Sequence, residues 1–238
     1  TTVEGMLNVF NTASPAIRAE INGDKTGINI SNQLSGVTMS IGENNGATAT
    51  DLGIRSFSKS SKLSEFNGGD GVHVKGLDGN GEDGYIRITA KNGTPGVATV
   101  PPSSWDINVS TAKTVDDIIT LINTATGGTV AANLNATGNG IFLFDLSGGA
   151  GNLIVGNDPD NLNNFNVAEE LGIATGDSGV VGPAFNGIDT NTVEPTGVFS
   201  HLIALRNALQ EGNQQGISGA TKKIGTDIKS LINFYGEM

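Results

Sequence analysis

The run GNGEDG sets Gly79, Gly81 and Gly84 in the G-x-G-x-x-G spacing. Between a strand and a helix, that spacing brings backbone N–H groups against a dinucleotide pyrophosphate. Here YIRIT (85–89) follows, an alternation that predicts a strand, so no helix N-terminus can meet a phosphate and a hairpin turn is the reading. The overlapping DGNGEDG offers Asp78 and Asn80 in the spacing of a calcium loop. Glu82 then stands where Asp or Asn is usual, Asp83 where glycine is required and Thr89 where a bidentate glutamate belongs. The pattern reads as a solvated turn, with a weak surface cation site as the other possibility.

The remaining reactive side chains form no constellation along the chain. His73 falls in a strand-like segment and His201 in a helical one, neither with a carboxylate or second histidine at ligand spacing, which predicts exposed or edge histidines. No serine occupies a G-x-S-x-G elbow. Asp116-Asp117 and Glu169-Glu170 read as acids at helix starts, complementing orphan N–H groups, rather than as catalytic dyads. With no cysteine, disulfides, thiolate metal sites and cysteine nucleophiles are excluded. The sequence therefore predicts a protein that is not an enzyme and uses no cofactor or metal.

The elements that would carry such residues are organised by repetition. TVEGMLNVFNTA (2–13) returns as TVDDIITLINTA (114–125), 112 positions on. Val3, Met6, Leu7 and Phe10 keep the i, i+3, i+4, i+7 spacing of a buried helical stripe, as do Val115, Ile118, Ile119 and Ile122. Downstream, GINI (27–30) matches GIFL (140–143), and ATDLGI (49–54) matches AEELGI (168–173). Each unit reads as a helix, three strands (16–21, 28–30 and 37–41; 129–134, 141–144 and 153–155) and a short helical turn. Thr114 with Asp117 before an apolar run predicts a capping box.

The first unit covers residues 1–56 and the second 114–174. Between them, 57–113 reads as a strand-rich insertion. Val72 and Val74, Ile86 and Ile88, and Trp105, Ile107 and Val109 alternate with polar neighbours, separated by turns at Asp78–Gly81 and Asn92-Gly93 and by a Pro101-Pro102 loop. Residues 175–196 are rich in Gly, Asn, Thr and Pro and read as a linker.

From 197 to 238 the pattern changes. Val198, Leu202, Leu205 and Leu209 are spaced 4, 3, 4, and Ile217, Ile224, Ile228, Leu231 and Tyr235 continue at 7, 4, 3, 4. These are heptad seams, with breaks expected at Gly212-Asn213 and Gly216. Ordering about 40 residues costs on the order of 1 kcal/mol each, and nine apolar side chains return roughly 1.5–3 kcal/mol apiece only when something covers them. The nine are thus the expected assembly interface. The fold class is α+β, with a β-rich outer region of two repeated units followed by a coiled-coil-type helical segment.

Composition agrees with a structural role. Among 238 residues, 13 are basic and 24 acidic, a net of −11. Residues 197–238 hold Arg206, Lys222, Lys223 and Lys229 against Glu211, Asp227 and Glu237, a net of +1, which leaves −12 on the remainder. Such an acidic body argues against nucleic-acid or anionic-membrane partners. No run approaches the ~20 apolar residues of a membrane span, and no signal-peptide pattern opens the chain. Glycine, 35 of 238, is about twice the usual ~7%, as many tight turns require. The chain opens directly at a helix and closes inside an amphipathic pattern, so the natural protein is expected to continue at both ends.

The repeated segment, TVDDIITLINTA followed by TVAANLNATGNGIFLFDLSGGAGNLIV, resembles the "IN" motif of flagellins and hook-associated proteins, named for the pair present here as Ile122-Asn123 and, in the first copy, as Phe10-Asn11. The stretch AFNGIDTNTVEPTGVFSHLIALRNALQEGNQQGISGATKKIGTDIKSLINF is similar to the approach to the C-terminal helix in that family, closest to its members at the hook–filament junction. The resemblance covers most of the chain outside 57–113. It implies an extracellular structural subunit of the bacterial flagellum, exported unfolded without a cleaved signal. Its implied partners are other axial proteins (hook-associated proteins, flagellin) and itself in a ring or tube, through coiled-coil packing of its termini. Two alternatives stand beside this: a flagellin filament subunit, and a carbohydrate-binding or adhesive module. One Trp and two Tyr give the last few sugar-stacking platforms.

Overall fold

The computed structural model of the chain describes residues 2–75, 83–92, 103–136, 139–157, 166–193, 195, 197–212 and 214–236. In chain order the elements are α1 (Val3–Ala13), β1 (Ile17–Ile21), β2 (Ile28–Asn32), α2 (Thr48–Asp51), α3 (Phe66–Gly69), β3 (Tyr85–Thr89), β4 (Ser104–Asn108), α4 (Val115–Ala125), β5 (Val130–Leu134), β6 (Ile141–Asp145), β7 (Ile154–Asn157), α5 (Val167–Glu170), β8 (Ala184–Asn186), α6 (Val198–Glu211) and α7 (Gln214–Gly236). The fold is mixed α and β, ending in two helices, as the α+β expectation requires.

The two units share local geometry to the level of single hydrogen bonds. Thr2 caps α1 and Thr114 caps α4, the latter in a full capping box with Asp117. That box, with the Lys113 backbone N–H foremost, holds the Asp117 carboxyl below the usual carboxylate range. The antiparallel pair β1–β2 aligns Ala19 with Ile30 and Ile21 with Ile28; β5–β6 aligns Ala132 with Leu143 and Leu134 with Ile141. The connecting turns close alike, Asn22 N–H to Gly27 O and Asn135 N–H to Gly140 O, both at 3.0 Å. The short helices α2 and α5 end on left-handed Gly53 and Gly172, each followed by a bond from Ile54 or Ile173 back to Ala49 or Ala168.

Burial separates the copies. The apolar core runs from Phe57 to Ile173 and contains no buried residue of the first unit or the helical tail. Its sheets are β4-β3-β7 and β5-β6-β8, each antiparallel, whereas β1–β2 forms a sheet of two. Helix α4 touches both β5 and β4, strands of different sheets, and therefore packs against both sheets. Its stripe of Val115, Ile118, Ile119 and Ile122 is buried. The insertion and the second unit thus share one core.

Several expected elements differ. Residues 37–41 form no third strand, only a single bridge from Met39 to Val193, because side chains take up the backbone there: Ile41 O accepts from Asn139 Nδ2 and Ile41 N–H donates to Ser56 Oγ. The third strand of the second unit, β7, pairs with β3 of the insertion rather than with its own unit. Residues 72–74 are not a strand, since Val74 N–H closes a tight turn on Val72 O. The stretch read as a linker, 175–196, supplies β8 beside β6, bridges Leu153 through Val180, and receives the Asn67 N–H on Thr190 O at 2.9 Å. Asp78–Gly81, Gly93 and Pro101-Pro102 lie outside the described residues.

Candidate assembly surface

Helix α6 ends at Gly212, left-handed at φ 67°, where a glycine C-cap satisfies the last carbonyls and reverses the chain. Helix α7 returns antiparallel along α6: His201 Nδ1 meets Asp227 Oδ2 at 2.6 Å, while Ala208 and Ala220, nearer the turn, are both buried. The break expected at Gly212 is therefore this turn, and Asn213 lies outside the described residues. Gly216 interrupts nothing, being an internal residue of the 23-residue α7. With 14 residues in α6, the end of α7 extends past its partner.

The nine seam residues lie on this hairpin, and none is buried. Leu205, Ile217 and Ile224 are half-buried. Val198, Leu202, Leu209, Ile228, Leu231 and Tyr235 are exposed, from 40% at Val198 to 68% at Tyr235. Six of the nine large apolar residues therefore remain open. Phe199, Ile232 and Phe234 are exposed beside them and widen the stripe. Strict heptad spacing missed these three; a broader helical stripe, taking the flanking positions as well, would have included them.

Attachment of the hairpin to the rest of the molecule is thin and largely polar. Ser200 Oγ meets Ser35 Oγ at 3.1 Å, Ile203 rests on Gly36, and Gly219 lies close to Asp70. Between hairpin and body runs a groove of about 590 Å³, lined by Asn67, Asp70, Glu169, Thr192, Asn207 and Lys223 among others. The body therefore does not consume the apolar stripe.

Both histidines carry carboxylate partners, contrary to the expectation. His73 Nδ1 lies 2.7 Å from Glu170 Oε1, and the His73 backbone N–H donates to Glu170 Oε2 at 2.6 Å. The side chains are only 14% and 6% exposed. Hydrogen bonding to Glu170 outweighs burial and raises the His73 pKa above its ordinary value. The partners are 97 and 26 residues apart in sequence, so spacing along the chain carried no sign of them. Glu170 is thus a clasp between the insertion and α5. Asp117 completes the α4 cap and Asp116 pairs with Lys59 at 3.1 Å, as acids at a helix start.

Of the glycine motif, Gly84 is described and leads directly into β3; of the calcium-like loop, Asp83 bridges Lys75 and Thr89 ends β3. Asp78, Gly79, Asn80, Gly81 and Glu82 lie outside the described residues. Among the described residues no group of three or more His, Asp or Glu side chains could hold a metal, and no helix is long and apolar enough to cross a membrane. No protein-family model, curated protein or solved structure matches the chain.

Proposed function

We propose that this chain is a structural subunit of the bacterial flagellum, a hook-associated protein at the hook–filament junction that assembles through α6 and α7. The observation that carries the reading is the open apolar stripe along the hairpin, from Val198 to Tyr235, on helices whose other faces already serve one another and the body. An exposed apolar patch of this extent on a charged protein is the mark of an interaction site. Resemblance of the repeated segment and the tail to flagellins and hook-associated proteins supplies the identity of the assembly. In it, other axial proteins and further copies of this chain cover the stripe, outside the cell, and the acidic body faces solvent.

Immunogold labelling of the epitope-tagged full-length protein on isolated flagella tests the reading. Label confined to the boundary between hook and filament is the expected result. Label along the whole filament would make the protein a flagellin instead, and absence from flagella would refute both.

A further inference from the structure

The hairpin of α6 and α7 rests on the body without entering its core. Among the described residues, no side chain of either helix joins the buried apolar cluster of Phe57 to Ile173. Opposite charge meets there instead: a net of +1 on residues 197–238 faces −12 on the remainder. Helix α7 reaches the body at α3. A Cβ at Gly69, the last residue of α3, would stand 3.9 Å from Lys223 Cε, and one at Gly219 of α7 would stand 3.0 Å from the Asp70 side chain. Lys223 lines the groove together with Asp70, Glu169 and Glu170, and a smaller hollow of about 360 Å³ together with Glu65, which also meets Lys62. Its neighbour Lys222 lies within electrostatic reach of His73, whose pKa is raised chiefly by the hydrogen bond to Glu170 and also by Asp70. Two adjacent lysines of the hairpin thus face four carboxylates of the body.

The hairpin also has a pivot. Gly197, just ahead of α6, holds φ 133° and ψ 160°, a conformation that is nearly glycine's alone. A Cβ there would meet nothing within 4 Å, so the glycine serves its torsion angles and not close packing.

We propose that the hairpin is an arm latched to the body by charge through Lys222 and Lys223, closed at low ionic strength and swung open about Gly197 when those charges are screened. Exposed ion pairs lose their hold as the screening length shrinks from about 10 Å at about 0.1 M salt to about 3 Å at about 1 M, whereas apolar burial does not weaken. Across that range the arm opens and the core stays shut.

Ser35 of the body and Ser200 of α6, with Oγ atoms 3.1 Å apart, mark the closed state, and the chain has no cysteine to interfere. In the full chain carrying Ser35→Cys and Ser200→Cys, equilibrium with reduced and oxidised dithiothreitol, which carry no charge, reads the closed population as the stability of the new disulfide. That stability is expected to fall about fivefold or more between about 0.05 and about 1 M NaCl. Lys222→Glu with Lys223→Glu is expected to lower it as far at the low salt, and Glu65→Lys with Glu169→Lys, added to that pair, to restore it. Equal stability at the two salt concentrations overturns the proposal, as does failure of the disulfide to form at low salt or its persistence in the chain with both lysines reversed. So does a fall that hydrogen exchange of the α4 and β6 amides follows, because the core would then have opened with the arm. None of these readouts involves the flagellum, so the result is independent of the flagellar reading.

Discussion

Asn11 and Asn123 show why an asparagine recurs at one place in both units. Asn123 accepts from the Ala132 N–H at 2.8 Å and donates to its carbonyl at 3.0 Å; Asn11 does the same to Ala19 at 2.7 and 3.0 Å. Each side chain thus stands in for a strand neighbour and pins a helix to the strand that follows. Removing the amide leaves two backbone groups unpaired, each costing about 1–3 kcal/mol where water cannot enter. Asn123→Ala and Asn11→Ala are therefore each expected to lower stability by about 2–4 kcal/mol in urea unfolding, since the backbone groups left unpaired belong to Ala132 and Ala19, both buried. A second residue-scale test concerns His73. Its pKa is raised in the folded state, so the folded chain binds more protons and stability falls as pH rises. The contribution is complete below the ordinary value of 6.5 and is lost as pH climbs through the raised one. Urea midpoints measured upward from that pH are expected to decline more steeply for the wild type than for His73→Gln.

At the scale of elements, one cap is used twice in different surroundings. Gly53 and Gly172 end α2 and α5 at φ +67° and +70°, but a Cβ at Gly53 meets open space while one at Gly172 comes within 2.4 Å of Ile188 O. Gly53→Ala is expected to cost about 1 kcal/mol, the strain of a left-handed alanine. Gly172→Ala should cost about 3 kcal/mol or more, since backbone must move as well; thermal unfolding of the two variants reads the difference. The helices, the Thr114 cap of the second unit and the first two strands of each unit were legible in the sequence, because periodicity and capping are local. Strand partners were not. That β7 leaves its own unit for β3, and that β8 comes from a glycine-rich stretch, depend on contacts tens of residues apart. The His73–Glu170 clasp was hidden for the same reason.

The whole molecule is a closed core, residues 57–173, flanked by two parts that leave apolar surface open: the first unit and the tail. Heptad spacing, which needs only the sequence, marked the six seam residues that lie exposed. The hairpin that positions them was not legible, since a glycine break suits a kinked helix as well as a reversal. Thin attachment of the hairpin makes the tail separable from the core, so substitutions on its outer stripe need not disturb the fold. Leu202 and Leu231 are both exposed, on different helices, and belong to neither the core nor the groove lining. The most direct measurement is therefore Leu202→Asp with Leu231→Asp in the full-length protein, scored for incorporation into flagella alongside core hydrogen exchange. Loss of incorporation with exchange of the α4 and β6 amides unchanged is expected. Normal incorporation of the doubly substituted protein would contradict the role of the hairpin as the assembly surface.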